Sequence, residues 1–260
     1  SFDDKNQYRN KAAGPIQAHT HLILDSKSGR LLQKSGAKRY YMPHGLSLDR
    51  DDNVFKVKPG HEEPSLTLGR AFTPGNDKDK FCKPTDVAVS KINGDVFIAD
   101  GYCNSRILRF SANGVYLSEF GKPTNGYYPA PPGTFQVPHS LTLIDDLNLL
   151  CVADRENERI QCFSAGLLPN NRNLPFGTFV RKAEKLGRVF AVDNINHFLI
   201  GVTNDGLTNS KRQLFTVDME TGDSDITEPG LMNPHDVAAA QDGTIFVAEI
   251  GPNRILRLHI

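Results

Sequence analysis

The chain is predicted to be all-β, a six-bladed β-propeller, on three observations. Short apolar segments with period-two alternation recur in threes, separated by Asp, Asn and Gly turn signals. They recur roughly every 40–50 residues, the interval at which four-stranded blades succeed one another around a ring. Three prolyl-histidine pairs, Pro43-His44, Pro138-His139 and Pro234-His235, place their histidines 95 and 96 residues apart, which is two such intervals.

The elements follow in chain order. His21-Leu-Ile-Leu-Asp and Gly29-Arg-Leu-Leu-Gln read as an outer hairpin of the blade that the N-terminal segment closes. The copy beginning at Pro43 runs His44-Gly-Leu-Ser-Leu and then passes from Asn53 straight to Val54-Phe-Lys-Val. Against its sister copies about a dozen residues are missing between Asn53 and Val54, so either this blade is short or, the favoured reading, a segment is absent from the sequence as given. The next copy reads Pro84-Thr-Asp-Val-Ala-Val, Gly94-Asp-Val-Phe-Ile-Ala-Asp and Asn104-Ser-Arg-Ile-Leu-Arg-Phe. It is followed by Pro138-His-Ser-Leu-Thr-Leu, Leu149-Leu-Cys-Val-Ala-Asp and Asn157-Glu-Arg-Ile-Gln-Cys-Phe. A weaker copy begins at Gly187-Arg-Val-Phe-Ala-Val and continues through His197-Phe-Leu-Ile-Gly-Val. The last reads Pro234-His-Asp-Val-Ala-Ala, Gly243-Thr-Ile-Phe-Val-Ala-Glu and Asn253-Arg-Ile-Leu-Arg-Leu. Starts near 43, 84, 138, 187 and 234 make five copies, with the N-terminal hairpin supplying the sixth blade, and residues 1–260 form one propeller domain.

Composition narrows the function. Thirty basic residues balance thirty acidic ones, which argues against nucleic acid or an anionic membrane as the main partner. No apolar stretch approaches the length of a membrane-spanning helix. The opening residues Ser1-Phe-Asp-Asp-Lys carry no hydrophobic signal region, so any leader is expected to have been removed or not included. The four cysteines fall into two local pairs, Cys82 with Cys103 and Cys151 with Cys162, although four cysteines allow three connectivities and four reduced thiols are the alternative. Cys151 and Cys162 bracket a strand–turn–strand segment that would set their sulfurs across a hairpin. Two disulfides would imply a secretory compartment.

The spacing of the prolyl-histidine pairs carries the chemistry. On a six-bladed ring they occupy every second blade, so their imidazoles converge on the central channel from three directions. Three neutral imidazoles with an open fourth position are the ligand set of a catalytic zinc, and His44, His139 and His235 are the candidate ligands. His21, His61, His197 and His259 lack the proline context and read as surface or packing residues. Arg106 recurs as Arg159 and Arg254, which marks a structural position of the repeat.

The strings Phe81-Cys-Lys-Pro-Thr-Asp-Val-Ala-Val, Asp100-Gly-Tyr-Cys-Asn-Ser-Arg-Ile, Pro138-His-Ser-Leu and Leu150-Cys-Val-Ala-Asp-Arg-Glu-Asn resemble the peptidyl-α-hydroxyglycine α-amidating lyase family. The resemblance runs through nearly the whole chain. It implies a six-bladed propeller of NHL-type repeats and the second step of C-terminal peptide amidation, in which a peptide ending in α-hydroxyglycine splits into the peptide amide and glyoxylate. By resemblance Tyr102 is the catalytic base. A phenol, with a reference pKa of about 10, needs a neighbouring cation or metal to act as phenolate near neutral pH. By resemblance also, Arg155 is an active-site arginine, and its planar fork suits the substrate carboxylate. Read without the family, Tyr102 is a loop aromatic beside a disulfide and Arg155 a turn arginine. The resemblance further implies a structural calcium near the channel, held by the Asp236 carboxylate and the Leu46 backbone carbonyl.

The implied setting is a secreted protein or a secretory-granule lumen. The implied partners are a peptide substrate and a peptidylglycine monooxygenase domain, in the same polypeptide or apart. Two departures stand out. The family's further catalytic arginine and one more backbone calcium ligand match nothing here and would lie upstream of Ser1, so additional N-terminal sequence is expected. Where the family has methionine before the third Pro-His pair, this chain has Asn233, with Met232 one place earlier. Two other functions compete: a non-catalytic NHL propeller that binds a protein partner, and a calcium-dependent lactonase-like propeller hydrolase. A scaffold needs no set of equivalent histidines, and lactonase-like sites use axial carboxylates and amides instead.

Overall fold

The computed structural model describes residues 2–50, 64, 66–126, 129–167, 174–205 and 211–259. The Asn53–Val54 junction and His61 lie outside them. The fold is a β-propeller with almost no helix. An N-terminal hairpin, β1 (His21–Leu24) with β2 (Leu31–Ser35), comes first and pairs antiparallel. A four-stranded sheet follows from β3 (Asp86–Val89), β4 (Val96–Asp100), β5 (Arg106–Phe110) and β6 (Tyr116–Phe120). A short parallel bridge joins β7 (Lys122–Pro123) to β8 (Thr134–Phe135). The next blade is β9 (Pro138–Ile144), β10 (Leu149–Asp154), β11 (Arg159–Ser164) and β12 (Phe179–Glu184). The weaker copy forms an equally complete blade, β13 (Arg188–Ile195), β14 (Phe198–Asn204), β15 (Leu214–Asp218) and β16 (Ser224–Thr227). A three-stranded sheet ends the set: β17 (Pro234–Ala239), β18 (Thr244–Glu249) and β19 (Arg254–His259).

In every blade the strands lie in sequence order as an antiparallel meander. The first strands of successive blades, β3, β9, β13 and β17, pack side by side, which places them at the centre of the ring. The middle strands are buried on both faces, and alternate residues serve different neighbours. Leu150 and Val152 pack with Phe97, Ile107 and Leu141 toward the preceding blade. Cys151 and Ala153 pack with Val189, Leu199 and Phe215 toward the following one. The core is therefore divided into layers between blades, as the period-two geometry of a strand requires. The outer strands β6, β12 and β16 alternate or are exposed throughout.

One polar device repeats. A carboxylate closes the second strand of a blade and receives the arginine that opens the third. Arg106 Nε donates to Asp100 at 3.1 Å, Arg159 Nε to Asp154 at 2.9 Å and Arg254 Nε to Glu249 at 2.5 Å. The same carboxylates accept backbone N–H groups from the segment entering the blade: Cys82 on Asp100, Gln136 on Asp154, Asn233 on Glu249. Arg159 is fully buried and also donates to the carbonyls of Ala130, Pro131 and Thr134. Arg106 and Arg159 thereby hold the entering loops to their blades.

Both local cysteine pairs are bonded. Cys151 and Cys162 stand opposite each other on β10 and β11. Cys82 and Cys103 instead tie the segment entering β3 to the β4–β5 turn.

Candidate metal centre and catalytic site

The three prolyl-histidine imidazoles meet on the axis. One ring nitrogen from each of His44, His139 and His235 lies within 4.8 Å of the other two, and the ring centroids stand 5.0–5.2 Å apart. Two of the rings are oriented by backbone carbonyls of the next blade. Nδ1–H of His44 donates to the Thr85 carbonyl at 2.7 Å, and Nδ1–H of His139 to the Phe190 carbonyl at 2.6 Å. A carbonyl only accepts, so each Nδ1 carries the proton and each Nε2 presents a lone pair, the tautomer a metal ligand requires. The His235 ring packs on His44, His139 and Phe190. Burial pushes His139 down to about 2 and His235 down to about 4, with the Arg155 charge adding to both; His44 is also lowered, chiefly by burial. All three are neutral at physiological pH. The donor set, its tautomers and its charge state fit a zinc ion.

The expected strand after Pro43 is not continuous. Among the described residues His44 sits on an extended segment positioned by its bond to Thr85 and by Gly45. A Cβ on Gly45 would stand 2.5 Å from Asp86 Oδ1, so glycine is required for the chain to pass this close.

Tyr102 and Arg155 occupy the same place on neighbouring blades. Each follows the carboxylate that ends a second strand, and each backbone N–H is anchored to the residue before the proline at the start of its own blade. Tyr102 N–H donates to Lys83 O at 3.4 Å, Arg155 N–H to Val137 O at 3.2 Å, and Ile250 N–H at the third equivalent place to Asn233 O at 3.1 Å. Lys83 and Val137 both adopt left-handed backbone (φ 58° and 57°) to aim those carbonyls. For β-branched Val137 this conformation costs of order 1–3 kcal/mol, a strain of the kind held at functional sites. A Cβ on Gly101 would overlap the Pro138 carbonyl oxygen, so only glycine lets the Tyr102 loop approach the His139 blade.

The Tyr102 hydroxyl stands 3.0 Å from His139 Nε2 and 3.2 Å from His44 Nε2. The Arg155 guanidinium carbon lies 5.5 Å from the Tyr102 ring centroid and 4.9 Å from that of Phe190. Its Nε donates to Glu156 Oε1 at 2.8 Å, and the same oxygen accepts from Arg188 at 2.5 Å. Phe190 thus lies against two guanidinium groups, and Glu156 links both.

Asp236, on the strand that carries His235, keeps solvent access, yet the protein around its carboxyl raises it to about 6, chiefly by burial. Asp86 is raised to about 7, by burial first and by the Asp236 charge second. Two carboxylates near enough for the Asp236 charge to raise Asp86, with Asp86 beside the Gly45 backbone, are a donor set for a hard cation.

Sequence reasoning missed four of these residues. Phe190 fills the histidine position of the weaker copy, and aligning Gly187-Arg-Val-Phe with the Pro-His segments would have located it. Asp86 directly follows the Thr85 that takes that position in its own blade. Glu156 and Arg188 carry no spacing signal.

The NHL repeat model matches residues 81–110 and 135–163. A probable peptidyl-alpha-hydroxyglycine alpha-amidating lyase of Caenorhabditis elegans is 42% identical over 270 residues, covering 100% of this chain and 75% of that protein. Peptidyl-alpha-hydroxyglycine alpha-amidating lyase 1 of Drosophila melanogaster is 40% identical, covering 98% of this chain and 51% of its own length. Peptidyl-glycine alpha-amidating monooxygenase A of Xenopus laevis is 42% identical across 98% of this chain, which spans 28% of that protein. Among solved structures, the β-propeller domain of a Myceliophteria thermophila protein superposes with a TM-score of 0.61 at 9% identity, over 95% of this chain and 91% of that one. A streptogramin B lyase gives 0.55 at 14% identity, over 89% and 69%. At such identities the likeness is one of fold.

Proposed function

The chain belongs to the peptidyl-α-hydroxyglycine α-amidating lyase family, and from that premise we propose that it cleaves peptidyl-α-hydroxyglycine to the peptide amide and glyoxylate at a zinc ion held by His44, His139 and His235. The observation that carries the proposal is the meeting of three neutral imidazoles, two of them oriented by backbone carbonyls, with the Tyr102 hydroxyl between those two.

When bound, zinc supplies Lewis acidity that makes the substrate hydroxyl easier to deprotonate. Tyr102 stands where it can accept that proton and return it to the departing amide nitrogen. As the O–H electrons form the glyoxylate carbonyl, the C–N bond breaks, so atoms and charge balance with no other reactant. Arg155 holds the substrate carboxylate through its terminal nitrogens, and Glu156 fixes the guanidinium by its Nε. Asp236, the Leu46 carbonyl and Asp86 would hold a calcium ion beside the histidines, relieving the repulsion between the two carboxylates. The two disulfides support folding in an oxidising secretory compartment. The monooxygenase relatives support a partner enzyme or domain that forms the hydroxyglycine.

The test is glyoxylate release from a synthetic peptidyl-α-hydroxyglycine, with and without chelator, alongside metal analysis. Chelator is expected to stop the reaction and His139→Ala to remove both activity and the stoichiometric zinc. Tyr102→Phe is expected to keep the zinc and lose about 10²–10⁴-fold in kcat. A zinc-free wild-type protein that still releases glyoxylate would refute the zinc assignment; no release under any metal condition would refute the lyase.

A further inference from the structure

Resting on the lyase reading, we propose that a neutral side pocket beside Tyr102 receives the side chain of the residue preceding the α-hydroxyglycine, and so makes the enzyme selective for peptides with an uncharged residue there. The pocket holds about 390 Å³ and is walled by Tyr102, Asn104, Pro123, Asn125, Phe135 and Gln136 among others. That volume lies within the range of about 300–1,000 Å³ found for ligand pockets.

Position comes first. Tyr102 is both a wall of this pocket and the residue whose hydroxyl touches His44 and His139. The peptide on the nitrogen side of the breaking bond starts beside that hydroxyl, and the preceding Cα is only about 3.8 Å further along the chain. Its side chain is the first group that can turn into the cavity.

Chemistry comes second. Among the described residues the Tyr102 phenol is the one ionisable side chain lining the pocket, since Cys103 is bonded to Cys82. Pro123 and Val137 offer apolar surface, while the side-chain amides of Asn125 and Gln136 make no hydrogen bond among the described residues. A neutral side chain is therefore accommodated, with amides at hand for peptide N–H and C=O groups. A lysine or glutamate would lose hydration without gaining a counter-charge.

Rigidity comes third. The Cys82–Cys103 disulfide fixes one wall. Asn104 Nδ2 donates to the Gly75 carbonyl at 2.9 Å and to Asp100 at 2.7 Å. On the opposite side Asn157 Nδ2 donates to Thr124 Oγ1 at 2.8 Å, and Gln136 N–H to Asp154 at 2.8 Å. The pocket is formed before substrate arrives, so its preference is built in.

The experiment measures kcat/KM for glyoxylate release by the zinc-loaded full chain on acetyl-Phe-X-α-hydroxyglycine, with X as Gly, Val, Gln, Lys or Glu. The Asn125→Asp variant is measured in parallel. Val and Gln are expected to exceed Gly, Lys and Glu by about tenfold or more. Asn125→Asp is expected to raise the Lys-to-Glu ratio about tenfold, because it gives the pocket a negative charge. Equal values for every X, or a selectivity whose Lys-to-Glu ratio ignores Asn125→Asp, overturns the pocket while leaving the lyase intact. Absence of glyoxylate from every substrate overturns the lyase reading, and the pocket with it.

Discussion

A histidine kept neutral by its surroundings is ready to bind a metal, but it makes the metal-free protein sensitive to acid. His139 is lowered to about 2 and His235 to about 4, while an unfolded chain titrates them near 6.5. Below 6.5 the unfolded state binds protons that the folded state refuses, so stability is complete above that pH and is lost as the pH falls toward the folded values. Asp86, raised to about 7, acts in the opposite sense. Folded, it holds a proton that the unfolded chain releases near 3.8, so it costs stability as pH rises through that range. A wild-type pH profile is the net of both, and only a difference isolates one histidine. In chelator, replacing His139 with glutamine should reduce the loss of stability below pH 6.5 by up to about 1.4 kcal/mol per pH unit. Urea melts at pH 7.5, 6.0 and 5.0 read this directly. Parallel profiles for the two proteins would show that His139 is not held neutral.

At the scale of the element, the carboxylate–arginine device does two jobs. It closes the blade, and it sets the loop that follows the carboxylate, which on two blades carries Tyr102 and Arg155. Asp154 shows the coupling: it accepts from Arg159, from Asn157 and from the backbone of Gln136, whose carbonyl in turn accepts from Glu156 N–H. Asp154→Ala leaves the Arg159 charge buried and uncompensated, which should cost about 3–5 kcal/mol in a urea melt. Removing the Glu228 carboxylate from its exposed pair with Lys211 should leave the midpoint unchanged. Equal effects would mean that the buried pair has no special weight. The same device explains what the sequence made legible. Inner and middle strands are constrained on both faces and at both ends, so Ala-Asp, Asn and Arg recur in register and reveal the blades. Outer strands such as β16, exposed throughout, carry no such pattern and were invisible. The three zinc-candidate histidines were legible because their role needs a side chain. Phe190 and Thr85 orient them with backbone carbonyls, which any residue supplies. Glu156 and Arg188 act as a pair brought together across 32 positions, a relation that no periodicity encodes.

Across the whole molecule each blade is stabilised by its neighbours, because the apolar layers lie between blades rather than within them. Such an assembly is held by nearest-neighbour contacts. His139 and His235 stand on blades separated by the one that β13 opens, and His44 comes from a third direction. An ion shared by all three would brace blades that meet there through the histidine rings. Such an ion would bind the folded ring and not the separated histidines of the unfolded chain, so its binding free energy would become folding stability. At free zinc one hundred times Kd the gain is about 2.7 kcal/mol. At about 2–4 °C per kcal/mol for a chain of this size, Tm should rise by roughly 5–10 °C between chelated and zinc-buffered protein. Scanning calorimetry across a zinc series should give a Tm that climbs with the logarithm of free zinc. The climb should persist in Tyr102→Phe, which keeps all three ligands, and vanish in His139→Ala. A shift of equal size in His139→Ala would place the stabilising ion elsewhere and remove the axial brace from this account.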